Sequence, residues 1–474
     1  MDLSNYLLLR QEMSLLVVFL ILMIYDLFAG EKGKKGFHLI ACTLWGLHTI
    51  CGFLFPVSGS SFAGMYVNND VETIVKNILN IGVFIIFLQS YGWLKKSDTI
   101  FKRGEFFMLV LLTLLGMYMM ISARNFILFF IGLETASLPI ASLVAFDKYT
   151  HHSAEAGAKF ILTAVFSSVI MLFGLSMLYG NCGTLYFEDI ATTIIAPSAI
   201  VILALTFVLT GLFFKLSLVP FHLWTADVYE GAPTNVTSYL STISKGAAVY
   251  ALMVILYRVF GNLFFEWNAM LWWIILITIT IGNIFAIRQN NFKRFLAFSS
   301  ISQAGYIILS VFIGTAQGMG ATIYYILVYV VSNLAAFGVA NAIETQTGKI
   351  NISDYNGLYK TNPNLSIILM LAMFSLGGIP PTAGFFSKFF VFTAVAEQQE
   401  YLLLFIALLN TVISLYYYLL VVKAIFINPN ETPIEKLTTD NYTKVSFAIC
   451  LIGIFAIGFA SCIYEYLNGV SFGL

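Results

Sequence analysis

The chain is 474 residues long, 59% hydrophobic and only 10% charged, with 24 Lys+Arg against 24 Asp+Glu. Soluble domains carry about 25% charged residues, so this composition cannot cover a water-facing surface. The balanced charge gives no argument for a nucleic-acid partner. The five cysteines (Cys42, Cys51, Cys182, Cys450, Cys462) fall singly and make no CxxC pair, which excludes an iron–sulfur or zinc reading.

A membrane span needs about 20 mostly apolar residues. On that measure the sequence predicts fourteen helices, near 13–29, 37–55, 72–94, 106–122, 124–146, 155–180, 198–220, 234–260, 269–288, 293–313, 319–345, 364–396, 400–427 and 442–467. The first lacks a cleavage-site pattern and other apolar runs follow, so it reads as a retained span rather than a signal peptide. Loops after odd-numbered helices hold fifteen cations: Lys32, Lys34, Lys35, Lys95, Lys96, Lys102, Arg103, Lys148, Arg288, Lys293, Arg294, Lys349, Lys360, Lys436 and Lys444. The other side holds four, Arg10, Lys76, Arg124 and Arg258. Lysine and arginine gather on the cytoplasmic side, so both termini are expected on the non-cytoplasmic side.

Five lysines then fall inside helices. Lys423 lies near a cytoplasmic helix end, where its side chain can snorkel to the headgroups. Lys159 is about five residues, roughly 8 Å, into its helix, and both snorkelling and function stay open for it. Lys215, Lys245 and Lys388 lie deeper, where an ionised side chain costs several kcal/mol and marks a functional site. Glu134, roughly 14 Å inside its helix, has no cation at i±3 or i±4. Its partner is expected to be a deep lysine from another helix. At an effective dielectric of ~20, opposite charges ~6 Å apart attract by about 3 kcal/mol. A lysine whose pair can separate has two protonation states, which a proton relay needs.

Helix breakers stand beside these charges. Pro220 cannot donate to the carbonyl of Leu216, next to Lys215, and Pro380–Pro381 free the carbonyls of Leu376 and Gly377, upstream of Lys388. Irregular backbone at membrane depth is tolerated only where protein buries it or a wet cavity meets it. Broken helices at matching places point to inverted repeats. The seventh and twelfth helices are five apart, and each carries glycine and lysine four residues apart, Gly211/Lys215 and Gly384/Lys388. The repeats then cover helices 4–8 and 9–13. His222, beside the first break, can pass protons near neutral pH or simply sit in a polar connection. Asp227 and Glu230 read as loop or helix-end partners, and His151 and His152 as solvated loop residues.

The stretch GLFFKLSLVPFHLWTADVYEGAPTNVTSYLSTISK closely resembles the seventh-to-eighth-helix region of the N subunits of bacterial respiratory complex I, the proton-pumping NADH:quinone oxidoreductase. GLETASLPIAS, EAGAKF, FLAFSSISQAGY and GGIPPTAGFFSKF match other signatures of these antiporter-like subunits, which are related to Mrp-type cation/proton antiporters. The resemblance is strong over about residues 105–400. It implies a proton channel with no cofactor of its own, in which Glu134 and Lys215 form the carboxylate–lysine pair and Lys245 is the central relay. Lys388 then stands toward the outer exit, and Lys159 matches a family lysine on the sixth helix. Gln303 departs from the pattern, since relatives often carry His there and Gln cannot titrate. The short tail after Leu467 sets the chain apart from the largest antiporter-like subunits, which run on into a long lateral helix.

The expected architecture is an all-α integral membrane protein of about 14 helices with two inverted five-helix repeats broken at helices 7 and 12. It divides into helices 1–3 (residues 1–104), a first repeat (105–260), a second repeat (261–430) and a last helix (431–474). The expected function is proton translocation coupled to quinone reduction elsewhere in a complex of the inner membrane. FMN, iron–sulfur clusters and quinone are expected in partner subunits, with other membrane subunits, antiporter-like ones included, and the bilayer as neighbours. Two alternatives remain: a subunit of a sodium/proton antiporter complex, and a structural subunit that pumps nothing. Four deep ionisable residues speak against the second, because a scaffold could use apolar residues without desolvation cost. Gln303 and Asn333 are candidates for the link between Lys245 and Lys388.

Overall fold

The computed structural model describes residues 3–30, 36–148 and 150–470. Thirteen helices in it are long and apolar enough to cross a bilayer: Arg10–Phe28, Phe37–Leu54, Asp70–Gln89, Ile100–Ser122, Phe126–Val144, His151–Cys182, Ala199–Leu216, Thr234–Arg258, Gly261–Ile287, Phe292–Phe312, Ala316–Thr347, Tyr401–Phe426 and Asn441–Phe459. A further crossing, twelfth in order, is built from two half-helices, Pro363–Gly377 and Ala383–Glu397. Together these are the fourteen segments read from the sequence. Helices are the only open choice here, because a bilayer core offers no water to unpaired backbone groups. Polar residues at the ends start them: Asn125, Ser198, Asn291, Thr315 and Asp440 each accept a first-turn N–H.

Burial sorts the helices into an inner set and a rim. The most apolar stretches of Thr234–Arg258 and Phe292–Phe312 are 100% buried and that of Ala316–Thr347 is 94% buried, against 28% for Arg10–Phe28. Rim helices show apolar faces to lipid, as with Leu162, Phe166, Val169 and Phe173 along the sixth crossing. Where two helices must touch closely, side chains vanish. A Cβ on Gly116 would sit 2.6 Å from the carbonyl oxygen of Gly132, so the fourth and fifth crossings meet through glycine.

Several expectations are corrected. The seventh crossing stops at Leu216, not 220. The twelfth, expected at 364–396 with a break, has that break after Gly377. The last helix, expected to run to 467, ends at Phe459 and is followed by a separate helix, Ser461–Gly469. His151 and His152 open a helix rather than filling a loop. A small antiparallel hairpin, Gly59–Ser61 with Tyr66–Asn68, joins the second and third crossings. Lys32, Lys34 and Lys35 lie outside the described residues.

The largest correction concerns Lys76, which is not a loop charge. It lies inside the third crossing with no exposed surface, and its Nζ donates to Glu12 Oε1 (2.6 Å), Tyr66 Oη (3.0 Å) and Asn68 Oδ1 (2.9 Å). All three ammonium protons are thereby used. Glu72, on the same helix, pairs with Arg124 and accepts from Tyr250 Oη of the eighth crossing (3.0 Å). Glu12–Lys76 thus ties the first crossing to the third, and Glu72–Arg124 fastens the third to the rest.

Removing one partner of such a pair costs about 3–5 kcal/mol, because the other charge stays buried alone. Lys76→Met should therefore lower the thermal denaturation midpoint of the purified assembly, and Glu12→Gln added to it should restore most of the loss. Equal midpoints for the wild type and the single variant would show that the pair contributes nothing.

Candidate functional site

The break in the seventh crossing has a defined form. Ser217 takes a left-handed conformation (φ 60°), so its N–H reaches Phe214 O (3.0 Å) and the N–H of Leu218 reaches Phe213 O (3.0 Å). Trp224 Nε1 also donates to Phe214 O (3.2 Å), and Val219 N–H finds Thr278 Oγ1 (3.1 Å). Lys215 sits in the last turn before this exit, buried, with no hydrogen bond to its Nζ among the described residues and the Phe160 ring 6.0 Å away. Glu134 is half-buried on the fifth crossing, and its Oε1 accepts from Ser168 Oγ (2.6 Å). Glu134 and Lys215 therefore make no direct hydrogen bond or ion pair with each other.

The twelfth crossing breaks in the same way. Gly378 is left-handed (φ 85°), and the N–H groups of Gly378 and Ile379 both reach Phe374 O (2.9 Å each). Each break also holds a cis peptide bond, Val219–Pro220 and Pro380–Pro381. The two turns place their lysines differently. Lys215 precedes its break, whereas Lys388 follows its own, so the two lysines are not equivalent. Lys388 reaches back across the gap and donates to Leu376 O (3.1 Å) and Gly377 O (3.1 Å), with the Tyr306 ring 5.1 Å from Nζ. It caps the C-terminus of the half-helix before it, the end at which a basic side chain is favoured.

Lys245 lies between these two, directly after a turn of π-helix at Leu240–Ser244. Its Nζ donates to Ser300 Oγ (2.9 Å) and Ser300 O (3.2 Å), 5.8 Å from the Tyr229 ring. Next to Ser300, Ser299 Oγ shares a proton with Tyr418 Oη (2.5 Å), and Gln303 Nε2 donates to Tyr418 Oη (3.1 Å) and to Leu376 O (3.0 Å). Leu376 O is the oxygen that Lys388 also holds. Apart from the step between the neighbouring side chains of Ser300 and Ser299, polar contacts run from Lys245 to Lys388 along the tenth crossing. Gln303 takes the linking place expected of it. Asn333 instead donates to Ser241 Oγ (2.8 Å) on the π turn. Ser299, Ser300 and Tyr418 escaped sequence reasoning because uncharged hydroxyls in an apolar helix look like filler; the one signal was the crowding of serines before Gln303 in FSSISQ, and Tyr418, on another helix, had none.

Lys159 is 42% exposed and pairs with Glu155 and Asp227 (2.8 Å each). Asp227 and Glu230 both bind Arg294 (2.8 Å each), and Lys293 pairs with Glu344 (3.0 Å). Lys159, Asp227 and Glu230 thus belong to an ion network at a helix end, separate from the buried lysines. His222 is half-buried beside the first break, its Nδ1 without a hydrogen bond.

Residues 123–414 match the family model described as NADH:quinone oxidoreductase/Mrp antiporter, TM. The chain is 56% identical over 478 residues to the NADH-quinone oxidoreductase subunit N of Azobacteroides pseudotrichonymphae, covering 100% of this chain and 99% of the relative. It is similar to a chain in the structure of respiratory complex I from Thermus thermophilus with bound aureothin, at TM-score 0.79 and 29% identity, covering 96% of this chain and 99% of that one. A chain of the Mrp complex from Dietzia sp. superimposes at TM-score 0.85 with 19% identity, over 99% of this chain and 97% of that one, a likeness of fold alone.

Three variants separate the buried link from the ion network. Gln303→Leu leaves Tyr325 Oη without its acceptor, and an unpaired buried polar group costs about 1–3 kcal/mol. Proton uptake by sealed vesicles should fall roughly tenfold for Gln303→Leu and stay near wild type for Gln303→His, which keeps a polar ring there. Lys159→Gln, in an exposed pair, should change uptake by less than about twofold.

Proposed function

The chain belongs to the NADH:quinone oxidoreductase/Mrp antiporter transmembrane family, and we propose that it works as a proton-translocating membrane subunit of an NADH:quinone oxidoreductase of the respiratory complex I type. It is a multi-pass membrane protein, and its neighbours in this reading are the other membrane subunits of that complex, with FMN, iron–sulfur clusters and quinone held by partner chains. The observation that carries the reading is the run of buried polar contacts from Lys245 through Ser300, Ser299, Tyr418 and Gln303 to the carbonyl shared with Lys388. It supplies two amines that can each hold or release a proton, with the hydroxyls of Ser300, Ser299 and Tyr418 between them; water completes the steps from Ser300 to Ser299 and on to Lys388. Gln303 does not titrate; it fixes Tyr418 and the Leu376 carbonyl, and the proton passes it by the Tyr418 hydroxyl or by water.

In this scheme protons enter the first half near Lys215, whose charge the Glu134 carboxylate modulates at a distance, and collect at Lys245. They leave past Lys388, in the half-helix that leads to the outer side. Both termini then stand on the non-cytoplasmic side of the inner membrane, in keeping with the lysines and arginines gathered on the opposite side. Residues 105–260 and 261–430 serve as the entry and exit repeats. A place in a sodium/proton antiporter complex is the less supported reading, because likeness in that direction is of fold without close sequence identity.

The test uses the purified assembly in sealed vesicles, with NADH oxidation and proton uptake followed together. Lys245→Arg should abolish uptake while the complex still assembles, since a guanidinium effectively never deprotonates. Lys388→Met should depress uptake and, where redox and pumping are tightly coupled, NADH oxidation with it. Wild-type proton yield from Lys245→Arg would remove Lys245 from the relay. An unchanged yield from Lys388→Met would move the exit elsewhere.

A further inference from the structure

A cavity of about 870 Å³ opens between the start of the twelfth crossing and the fourteenth. That is within the ~300–1,000 Å³ range of sites that enclose a small ligand. Ile368, Phe447 and Leu451 give it an apolar wall, while Lys360, Lys436 and Lys444 line it without any Asp or Glu among the lining residues. All three lysines are exposed, and none has an acidic partner among the described residues. The nearest acids in sequence do not answer them. Asp440 uses both oxygens on Thr443, through its N–H (2.9 Å) and hydroxyl (2.8 Å), and Glu435 lies outside the lining.

Lysines gather at one edge of any multi-pass protein; two further features set these three apart. One is a clamp. Asn362 is 5% exposed, donates through Nδ2 to Glu435 O (3.0 Å) and accepts Leu437 N–H at Oδ1 (2.8 Å). It thereby ties the backbone on both sides of Lys436 to the start of the half-helix Pro363–Gly377. The other is that helix start itself. Asn364 and Leu365 line the cavity from the first turn, where N–H groups lack intrahelical acceptors and the helix dipole is positive. Three ammonium groups, a helix N-terminus and an apolar slot thus meet in one place.

We infer that this cavity binds an anionic glycerophospholipid. The phosphate is held by Lys360, Lys436, Lys444 and the first-turn N–H groups, and an acyl chain lies along Ile368, Phe447 and Leu451. A free phosphate has no use for the apolar wall. A zwitterionic lipid carries its own cation into a site that already holds three.

The experiment places the intact assembly in phosphatidylcholine nanodiscs doped with a phosphatidylglycerol analogue bearing a photoactivatable acyl chain, or with the matching phosphatidylcholine analogue. Each lysine near an anionic lipid strengthens binding severalfold, so three together give roughly tenfold or more. The phosphatidylglycerol analogue should label peptides containing Ile368 and Phe447–Leu451 about tenfold more than the phosphatidylcholine analogue. Lys360→Gln, Lys436→Gln and Lys444→Gln together should bring that labelling down to the phosphatidylcholine level. In the wild type, excess unlabelled phosphatidylglycerol should compete and phosphatidylcholine should not, which reads the site even if the triple variant fails to assemble. Equal labelling by both analogues, or labelling indifferent to the triple substitution, would reduce the cavity to ordinary lipid contact. Labelling by neither, with Lys436 cross-linked to another subunit, would give the cavity to a protein partner.

Discussion

A backbone carbonyl freed inside a bilayer has no water to turn to, and the functional half of this structure follows from how two broken helices meet that demand. Both breaks use a left-handed residue, Ser217 or Gly378, whose turn returns N–H groups to carbonyls of the preceding helix. Beyond that common turn they differ. In the first break Trp224 supplies the extra donor and Lys215 stays free of hydrogen bonds. In the second, Lys388 and Gln303 supply the donors, so an ionisable group becomes part of the helix end. In the proposed relay, a group tied to two carbonyls and a group tied to none are different stations, although each is a lysine beside a broken helix.

The most buried helices carry the link between them. Lys245 stands on Thr234–Arg258, and Ser299, Ser300 and Gln303 on Phe292–Phe312, the two crossings with fully buried apolar stretches. Rim helices shield this polar line from lipid, where an unpartnered hydroxyl or amine would be costly. The π turn before Lys245 loosens the regular helix where the side chain must be aimed, a place where such turns recur at functional sites.

Position in a bilayer also needs something other than apolar burial, because lipid tails satisfy an apolar helix as well as another helix does. The first and third crossings use Glu12–Lys76 and Glu72–Arg124, with Tyr66 and Tyr250 completing the bonds. These pairs fix the first crossing, which otherwise faces lipid along much of its length, to the largely buried third. The ion network of Lys159, Asp227, Arg294 and Glu230 does the same for the sixth and tenth crossings and the short helix Leu223–Gly231.

The fourteen crossings and the depth of Lys215, Lys245 and Lys388 were legible in the sequence alone, because length, hydropathy and the cost of buried charge are local properties. The breaks were legible as well, since Pro220, Pro380 and Pro381 act on their own turns. What each deep lysine touches was not, because Ser300, Tyr418 and the Leu376 carbonyl come from segments far apart in the chain. Equal spacing made Lys215 and Lys388 look alike, and only the folded turns showed that one reaches back to the carbonyls of its break while the other bonds none. Lys76 reads as a loop charge six residues into a helix, and it became a buried partner once Glu12, Tyr66 and Asn68 were brought around it. Sequence determined which groups could not be left in lipid; tertiary structure decided which partners made their burial possible, since those partners meet only when the helices pack.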